Sequence, residues 1–195
     1  MVTNEVQLIP NEAPIRRARR PLFLVGTGFL LVIVLVLADW WQAKHELDDL
    51  LDGVAVSKIA VAKGYFSVNP GMKDSSLAVL EAKCVTAAAD VQDTGAQVSE
   101  VFVLPWHRSL AAAQVAYSAH SETWQRKFTA CADDATKWSD GSTSAQIDAS
   151  GRVAHRAFAN AVPAADESGR SRVEAMFKNN VTGVEWGQIV KSLVG

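Results

Sequence analysis

Two cysteines are the residues of this sequence with the clearest chemical potential. Cys84 lies in a run of small residues, LEAKCVTAAADVQDTGAQV (80–98), and Cys131 lies far downstream. Neither belongs to a Cys-x-x-Cys motif, so a redox-catalytic pair is not indicated. The remaining alternatives are a structural disulfide and two buried free thiols that act as small apolar residues. The helices that carry the two cysteines decide between them.

The histidines do not indicate a metal centre. The spacing of a zinc motif is absent from the set His45, His107, His120 and His155. His45 and Glu46, followed by aspartates at 48, 49 and 52, could bind a cation weakly, but a solvated acidic helix face is the favoured interpretation. His120 falls on an apolar stripe and is expected in the core. No metal site and no cofactor are predicted.

Signatures of catalysis and of nucleic-acid binding are missing as well. The sequence has no Gly-x-Ser-x-Gly elbow and no glycine-rich phosphate loop. Its net charge of -2, with 21% charged residues, does not favour nucleic acid as a partner. We therefore expect a protein that is not an enzyme and does not bind nucleic acid.

Two apolar stripes predict the helices that carry the cysteines. Their members recur at alternating spacings of three and four, the period of one helix face. Pro105 separates the stripes, with Ser76 and Ser109 among the candidate N-caps. The first stripe contains Leu77, Leu80, Cys84, Ala88, Val91, Gly95, Val98 and Phe102, and the second contains Leu110, Ala113, Tyr117, His120, Trp124, Phe128, Cys131, Ala135 and Trp138.

Folding the chain back at the proline-containing turn predicts which residues meet. With the turn near positions 107 and 108, Cys84 lies opposite Cys131 and Gly95 lies opposite His120. Large residues then face small ones, as close packing requires. Since facing cysteines in an exported domain oxidise, the hairpin predicts a Cys84–Cys131 disulfide.

The rest of the chain also carries helical patterns. A helix through positions 47–61 is interrupted by Lys58, and a turn is expected within 64–71, where Asn69, Pro70 and Gly71 form a cluster of helix breakers. A loop is expected at 139–144, a further helix at 147–161 ending before Pro163, and two short amphipathic segments at 172–178 and 185–193. Because no segment alternates apolar and polar residues convincingly, the expected fold is an all-α bundle built on the long antiparallel hairpin.

An apolar segment near the N-terminus predicts a membrane anchor. PLFLVGTGFLLVIVLVLA (21–38) has no charged residue and would span roughly 27 Å as a helix. Basic residues precede it and tryptophans follow it, which by the positive-inside rule places the N-terminus in the cytoplasm. The flanking residues are Arg16, Arg17, Arg19 and Arg20 on one side and Trp40 and Trp41 on the other.

This segment defines the expected domains and compartment. Residues 1–20 form a cytoplasmic tail, 21–41 a transmembrane helix and 42–195 an extracytoplasmic helical domain. The alternative is a cleaved signal peptide ending at Ala38, but the length of the apolar run and the two tryptophans favour a retained anchor. Both interpretations export the rest of the chain.

No motif in the sequence identifies a protein family, so the functional hypothesis is drawn from these features alone. A single anchor in the lipid bilayer, a stapled hairpin and an aromatic-basic turn (Trp106, His107 and Arg108) suggest a non-catalytic accessory or assembly subunit of a larger membrane protein complex. The turn is expected to be exposed and to contact the partner. The alternative is an extracytoplasmic small-molecule-binding or sensory domain that acts through a partner.

Overall fold

The protein is all-α throughout the part of the chain that a computed structural model describes. Residues 20–69 and 76–177 are described, with side chains from residue 29 onward, and they contain no β-strand. The predicted helical class is therefore confirmed, whereas the segment predicted at 185–193 lies outside the described residues. The helices are α1 (Arg20–Val68), α2 (Leu77–Glu100), α3 (Arg108–Asp133), α4 (Gly141–Ala161) and α5 (Glu167–Phe177), with a 3-10 helix, Ala135–Ser139, after α3.

The chain divides into two compact units, Met1–Asp39 and Trp40–Gly195. In the first unit, residues 29–37 are all large and apolar, and each side chain is 42–69% exposed. No helix among the described residues contains a stretch both long and apolar enough to cross a membrane. Residues 21–28 of the predicted anchor lie outside the described side chains, as do Arg16, Arg17, Arg19 and Arg20.

Within the second unit, α1 has a buried face and ends immediately before its predicted breakers. Leu47, Leu50 and Val54 are fully buried, as expected from their spacing. The turn predicted within 64–71 begins later than Gly64, since α1 continues to Val68 and Asn69 is the first turn residue. Gly64 lies inside the helix, where an added Cβ would be 2.7 Å from the Ala87 Cβ. This glycine permits close helix packing and does not break the helix.

Helices α2 and α3 form the predicted antiparallel hairpin. Cys84 and Cys131 are joined by a disulfide, with their Cα atoms 5.8 Å apart. Further along, the Gln125 side-chain amide donates to the Gln92 side-chain oxygen at 2.9 Å. The two stripes and the proline-containing turn therefore predicted the cysteine pairing correctly.

Some details of the predicted register are wrong. Gly95 faces Ser121, because a Cβ at Gly95 would collide with the Ser121 hydroxyl, and His120 points to α4 instead. Phe102 is 71% exposed because α2 ends at Glu100, two residues earlier. Ser109 is not the cap of α3, whose N-cap residue is His107.

The end of α2 is closed by a side chain from α3. The Gln114 amide lies 2.8 Å from the carbonyl oxygens of Val98 and Val101 and 3.2 Å from that of Ser99. The last carbonyls of a helix lack intrahelical partners, so these contacts satisfy them. They also hold the chain between α2 and α3 in a defined conformation.

Helix α4 packs on α3 through its predicted stripe. Ile147, Ala154 and Phe158 are buried on it. The loop predicted at 139–144 is shorter than expected, because α4 already begins at Gly141. Asp140 caps α4 by accepting a hydrogen bond from the Ser142 amide at 2.9 Å.

The core of the second unit consists of two clusters, each with its own aromatic group. One surrounds the disulfide, where Trp138 packs against Tyr65 and Phe128 with ring centres 5.7 and 5.4 Å apart. The other lies towards the turn of the hairpin, where Phe158 packs against Tyr117 and Phe177 at 6.4 and 5.4 Å. Both clusters contain residues of α1, which therefore packs along the hairpin in both halves.

The disulfide should stabilise the disulfide-side cluster by constraining the unfolded chain. It closes a loop across a sequence separation of 47 residues. We expect replacement of both cysteines by alanine to lower the free energy of unfolding by about 4 kcal/mol in the chain-entropy model. Urea unfolding followed by circular dichroism measures this change. Dithiothreitol should destabilise the wild-type protein and leave the double variant unchanged, and equal effects on both would contradict the prediction.

Candidate functional site

A buried carboxylate joins α1 to the turn of the hairpin. Glu46 is 2% exposed and lies one helical turn before Leu50 on the buried face of α1. Its Oε2 is 2.7 Å from His107 Nδ1 and accepts a hydrogen bond from the Leu104 amide at 3.2 Å. Its Oε1 accepts from the Gln42 side chain at 3.3 Å. A buried carboxylate requires such donors, since burial without them is costly.

His107 is a structural residue of this turn. Its backbone amide donates to the Leu104 carbonyl at 2.9 Å, and its own carbonyl accepts from Ala111 at 3.1 Å in the first turn of α3. Its side chain is 8% exposed. The expectation that His107 is exposed is therefore wrong, because Glu46 draws the imidazole into the protein. Trp106 and Arg108, on either side, are exposed as expected.

The turn between α4 and α5 reaches the same part of α1. Trp40 Nε1 donates to the Ala164 carbonyl at 2.7 Å, and Lys44 Nζ lies 3.1 Å from the Asp166 carboxylate. Ala165 between them has a φ of 64°, a left-handed conformation that is unfavourable for a residue with a Cβ. The contacts of Trp40 and Lys44 with its two neighbours hold the turn in this shape.

Asp166 stays ionised beneath this turn. Burial raises the pKa of its carboxyl group, but the Gly169 amide, Lys44 and Arg172 together outweigh burial and hold the pKa below its ordinary value. Arg172 also binds Asp48 and, at 2.8 Å, Asp52. Asp49 is nevertheless exposed and the Asp52 side chain is 74% exposed, so the acidic face is solvated as expected except at the buried Glu46.

We call this part of the second unit the tip end: residues 40–46 of α1, the connection 101–107 and the turn 162–166. Its surface carries three large exposed side chains. Trp41 is 57%, Phe102 71% and Trp106 64% exposed. Two of the three belong to the chain that Glu46 and Gln114 hold in place, so their exposure is fixed by the fold.

A second polar group lies inside the bundle, on α1. Lys58 Nζ donates to the Met176 carbonyl at the end of α5 and lies 4.6 Å from the centre of the Phe177 ring. Burial lowers the pKa of Lys58 to about 8. The interruption that Lys58 makes in the apolar pattern of α1 therefore places a partly buried cation against the end of α5.

His120 lies near this cation and is neutral. Burial and the charge of Lys58 lower the pKa of His120 to about 4. Its Nδ1 is 2.8 Å from Ser150 Oγ, whose own hydrogen points to the Ile147 carbonyl at 2.9 Å. The histidine nitrogen is consequently the donor in the first contact. His120 is a satisfied core residue, as expected.

The described residues contain no group of three or more His, Cys, Asp or Glu side chains that could hold a metal ion. Comparison of the chain with protein-family models, with curated proteins and with solved structures gave no match.

The Glu46–His107 pair was not predicted from the sequence, although the sequence contains a signal for it. Glu46, Leu50 and Val54 follow one another at the helical spacing of four. The stripe therefore begins with Glu46, and an acid on a buried stripe requires a donor from another element. Which element supplies the donor depends on tertiary packing.

Removing the Glu46 carboxylate should destabilise the tip end. We expect Glu46→Ala to lower the free energy of unfolding by about 3 kcal/mol, because His107 and the Leu104 amide lose a buried acceptor. Glu46→Gln keeps an acceptor oxygen and should have a smaller effect. The matched control is Glu122→Ala at an exposed helical position, expected within about 0.5 kcal/mol of wild type. Urea unfolding compares them, and equal stability of both alanine variants would contradict the prediction.

Burial of Lys58 should make stability depend on alkaline pH. Between pH 8 and 10.5 the unfolded chain binds more protons at this residue than the folded chain, so stability rises with pH. From pH 7 to 9.5 we expect a gain of about 2 kcal/mol in the wild-type protein. Lys58→Met should abolish most of this gain, whereas Lys63→Met, at an exposed position of the same helix, should keep it. An unchanged pH profile in Lys58→Met would overturn the assignment.

Proposed function

We propose that the protein is a single-pass membrane protein whose helical domain acts as a non-catalytic accessory or assembly subunit of a larger membrane complex. The N-terminus lies in the cytoplasm and residues 42–195 lie outside it. The observation that carries the proposal is the exposure of nine consecutive large apolar side chains at positions 29–37.

The arrangement of these side chains favours lipid as their environment. Successive residues of an α-helix point about 100° apart, so nine in a row face every direction. A single protein surface covers only one face of such a helix, whereas lipid covers all of them. Burying each large apolar side chain contributes about 1.5–3 kcal/mol, which makes the aqueous state of the segment unfavourable.

The disulfide supports the proposed side of the membrane. Disulfides persist in oxidising compartments and are rare in the reducing cytosol. A Cys84–Cys131 bridge in the domain that follows the segment agrees with export of that domain, and the arginines before the segment agree with retention of the N-terminus inside.

A role towards another protein is supported by a surface groove between α1 and α2. The groove has a volume of about 460 Å³ and combines apolar residues with both signs of charge, as the core and rim of protein interfaces do. It is lined by Val56, Ile59, Ala60, Lys63, Asp90, Asp93 and Thr94.

The second candidate function, ligand binding or sensing, is favoured by the partly buried Lys58. A desolvated ammonium beside the neutral His120 is a group that an anionic ligand would stabilise. Thermal-shift measurements with small anions test it, because a ligand that binds the folded state raises the melting temperature. A specific shift that Lys58→Met removes would favour this function.

The membrane anchor is tested by charged substitutions. We expect the double variant Leu31→Arg/Val34→Arg to be released from native membranes by alkaline carbonate, since each arginine costs about 2.5–3.5 kcal/mol at the centre of a membrane helix. The matched control is Val85→Arg/Val153→Arg, which changes two exposed residues of the helical domain and should stay in the membrane fraction with the wild-type protein. Release of the wild-type protein would contradict the anchor.

The subunit role is tested by purification from native membranes in mild detergent followed by mass spectrometry. A stoichiometric membrane complex is expected, together with peptides of the bait from residues 21–38, which a cleaved signal would lack. A monomer purified alone under conditions that preserve other membrane complexes would contradict the role as a subunit.

A further inference from the structure

The tip end brings three segments of the second unit to one place. Trp40 is bonded to the turn between α4 and α5, and Glu46 is bonded to the connection between α2 and α3. Because the apolar segment ends immediately before Asp39 and Trp40, chain connectivity alone makes this the end from which a membrane anchor would leave the domain.

The connection between α2 and α3 holds its aromatic residues in fixed positions. Leu104 and His107 are bound to Glu46, and the Gln114 amide binds the carbonyls before Phe102. Phe102 and Trp106 nevertheless remain 71% and 64% exposed. The connection thus holds two large aromatic side chains outside the core. Exposed apolar side chains of this kind mark surfaces that contact another protein or a membrane.

The rise along α1 relates Trp41 to the connection that Glu46 holds. Glu46, which contacts the residue after Trp106, lies five residues beyond Trp41, or roughly 7.5 Å along a helix. The headgroup region on each side of a bilayer is about 5–7 Å thick. When Trp41 lies at the inner boundary of this region, Glu46 and the connection bound to it lie at about its outer boundary.

The residue types at the tip end fit the headgroup region better than the hydrocarbon or water. Tryptophan is enriched at membrane–water interfaces because its ring is apolar and its N–H is polar. Arg108 and Glu100 carry opposite charges on the two sides of the connection. This balance argues against selection of anionic lipids, so the aromatic rings provide the attraction.

We infer that the tip end is a membrane-contact surface, in which Trp41, Phe102 and Trp106 insert their rings into the headgroup region of the bilayer that holds the anchor. The inference rests on the proposed function, since it uses the anchor to bring the surface to the membrane. It adds a second point of attachment, which orients the helical domain relative to the bilayer.

The test uses the full-length protein, labelled with 5-fluorotryptophan, in nanodiscs of phosphatidylcholine that contain a lipid with a gadolinium chelate on its headgroup. The six tryptophans give separate fluorine resonances, which single Trp→Phe variants assign. We expect the resonances of Trp41 and Trp106 to be lost through paramagnetic broadening. Trp138 should keep its intensity, because it packs on Tyr65, nineteen residues beyond Glu46 and roughly 29 Å along α1.

Two variants that each add one exposed tryptophan distinguish the effect of location at the tip end from the effect of exposure alone. Phe102→Trp adds an exposed ring at the tip end, and Val85→Trp adds one at an exposed position beside the disulfide. The new resonance should be lost in the first variant and retained in the second. Addition of phosphatidylglycerol should change neither result, since the contact does not depend on lipid charge.

The other outcomes overturn the inference in distinguishable ways. Loss of the Trp41 resonance with full retention of the Trp106 resonance would leave the anchor in place. The exposed aromatic residues would then be assigned to contact with a protein partner. Retention of both resonances would also contradict the proposed membrane anchor. Equal loss of Trp41, Trp106 and Trp138 would mean that the domain lies flat on the bilayer, which contradicts a contact confined to the tip end.

Discussion

The arrangement of the helical domain depends on one buried carboxylate. Glu46 on α1 accepts hydrogen bonds from Leu104 and His107, so the helix that begins the domain and the turn that reverses the hairpin cannot separate without exposing or orphaning a charge. Apolar packing alone would allow a helix to slide along a hairpin, because apolar contacts are not directional. The carboxylate fixes the register of α1 against α2 and α3 at one end.

The opposite half of the hairpin is held by a covalent bond. The Cys84–Cys131 disulfide fixes α2 against α3, and a bulky aromatic cluster around it covers the adjoining face of α1. Gly64 is needed in this half because α1 approaches Ala87 so closely that a methyl group would collide with it. The domain is thus held together by directional hydrogen bonds at the tip end, and by a disulfide and aromatic packing at the other end.

Between these two ends the bundle contains a feature that lowers its stability. Lys58 is partly buried against a carbonyl and a phenyl ring, and burial of His120 together with the charge of Lys58 keeps His120 neutral. A methionine of similar length would avoid the desolvation cost. Perturbed pKa values cluster at functional sites, so Lys58 is the group that the proposed ligand-binding function would use. The tip end, by contrast, is suited to contact with a large surface.

Residue periodicity determined the helices and the cysteine pairing, because helix spacing and a proline-containing turn are local properties of the chain. The same local rules misjudged Gly64, Phe102 and His107. Gly64 resembles a helix breaker until Ala87 packs against it, Phe102 resembles a stripe residue until the helix ends before it, and His107 resembles a surface residue until Glu46 reaches it. Each of these outcomes is set by a neighbour distant in sequence, so only the tertiary structure could decide it.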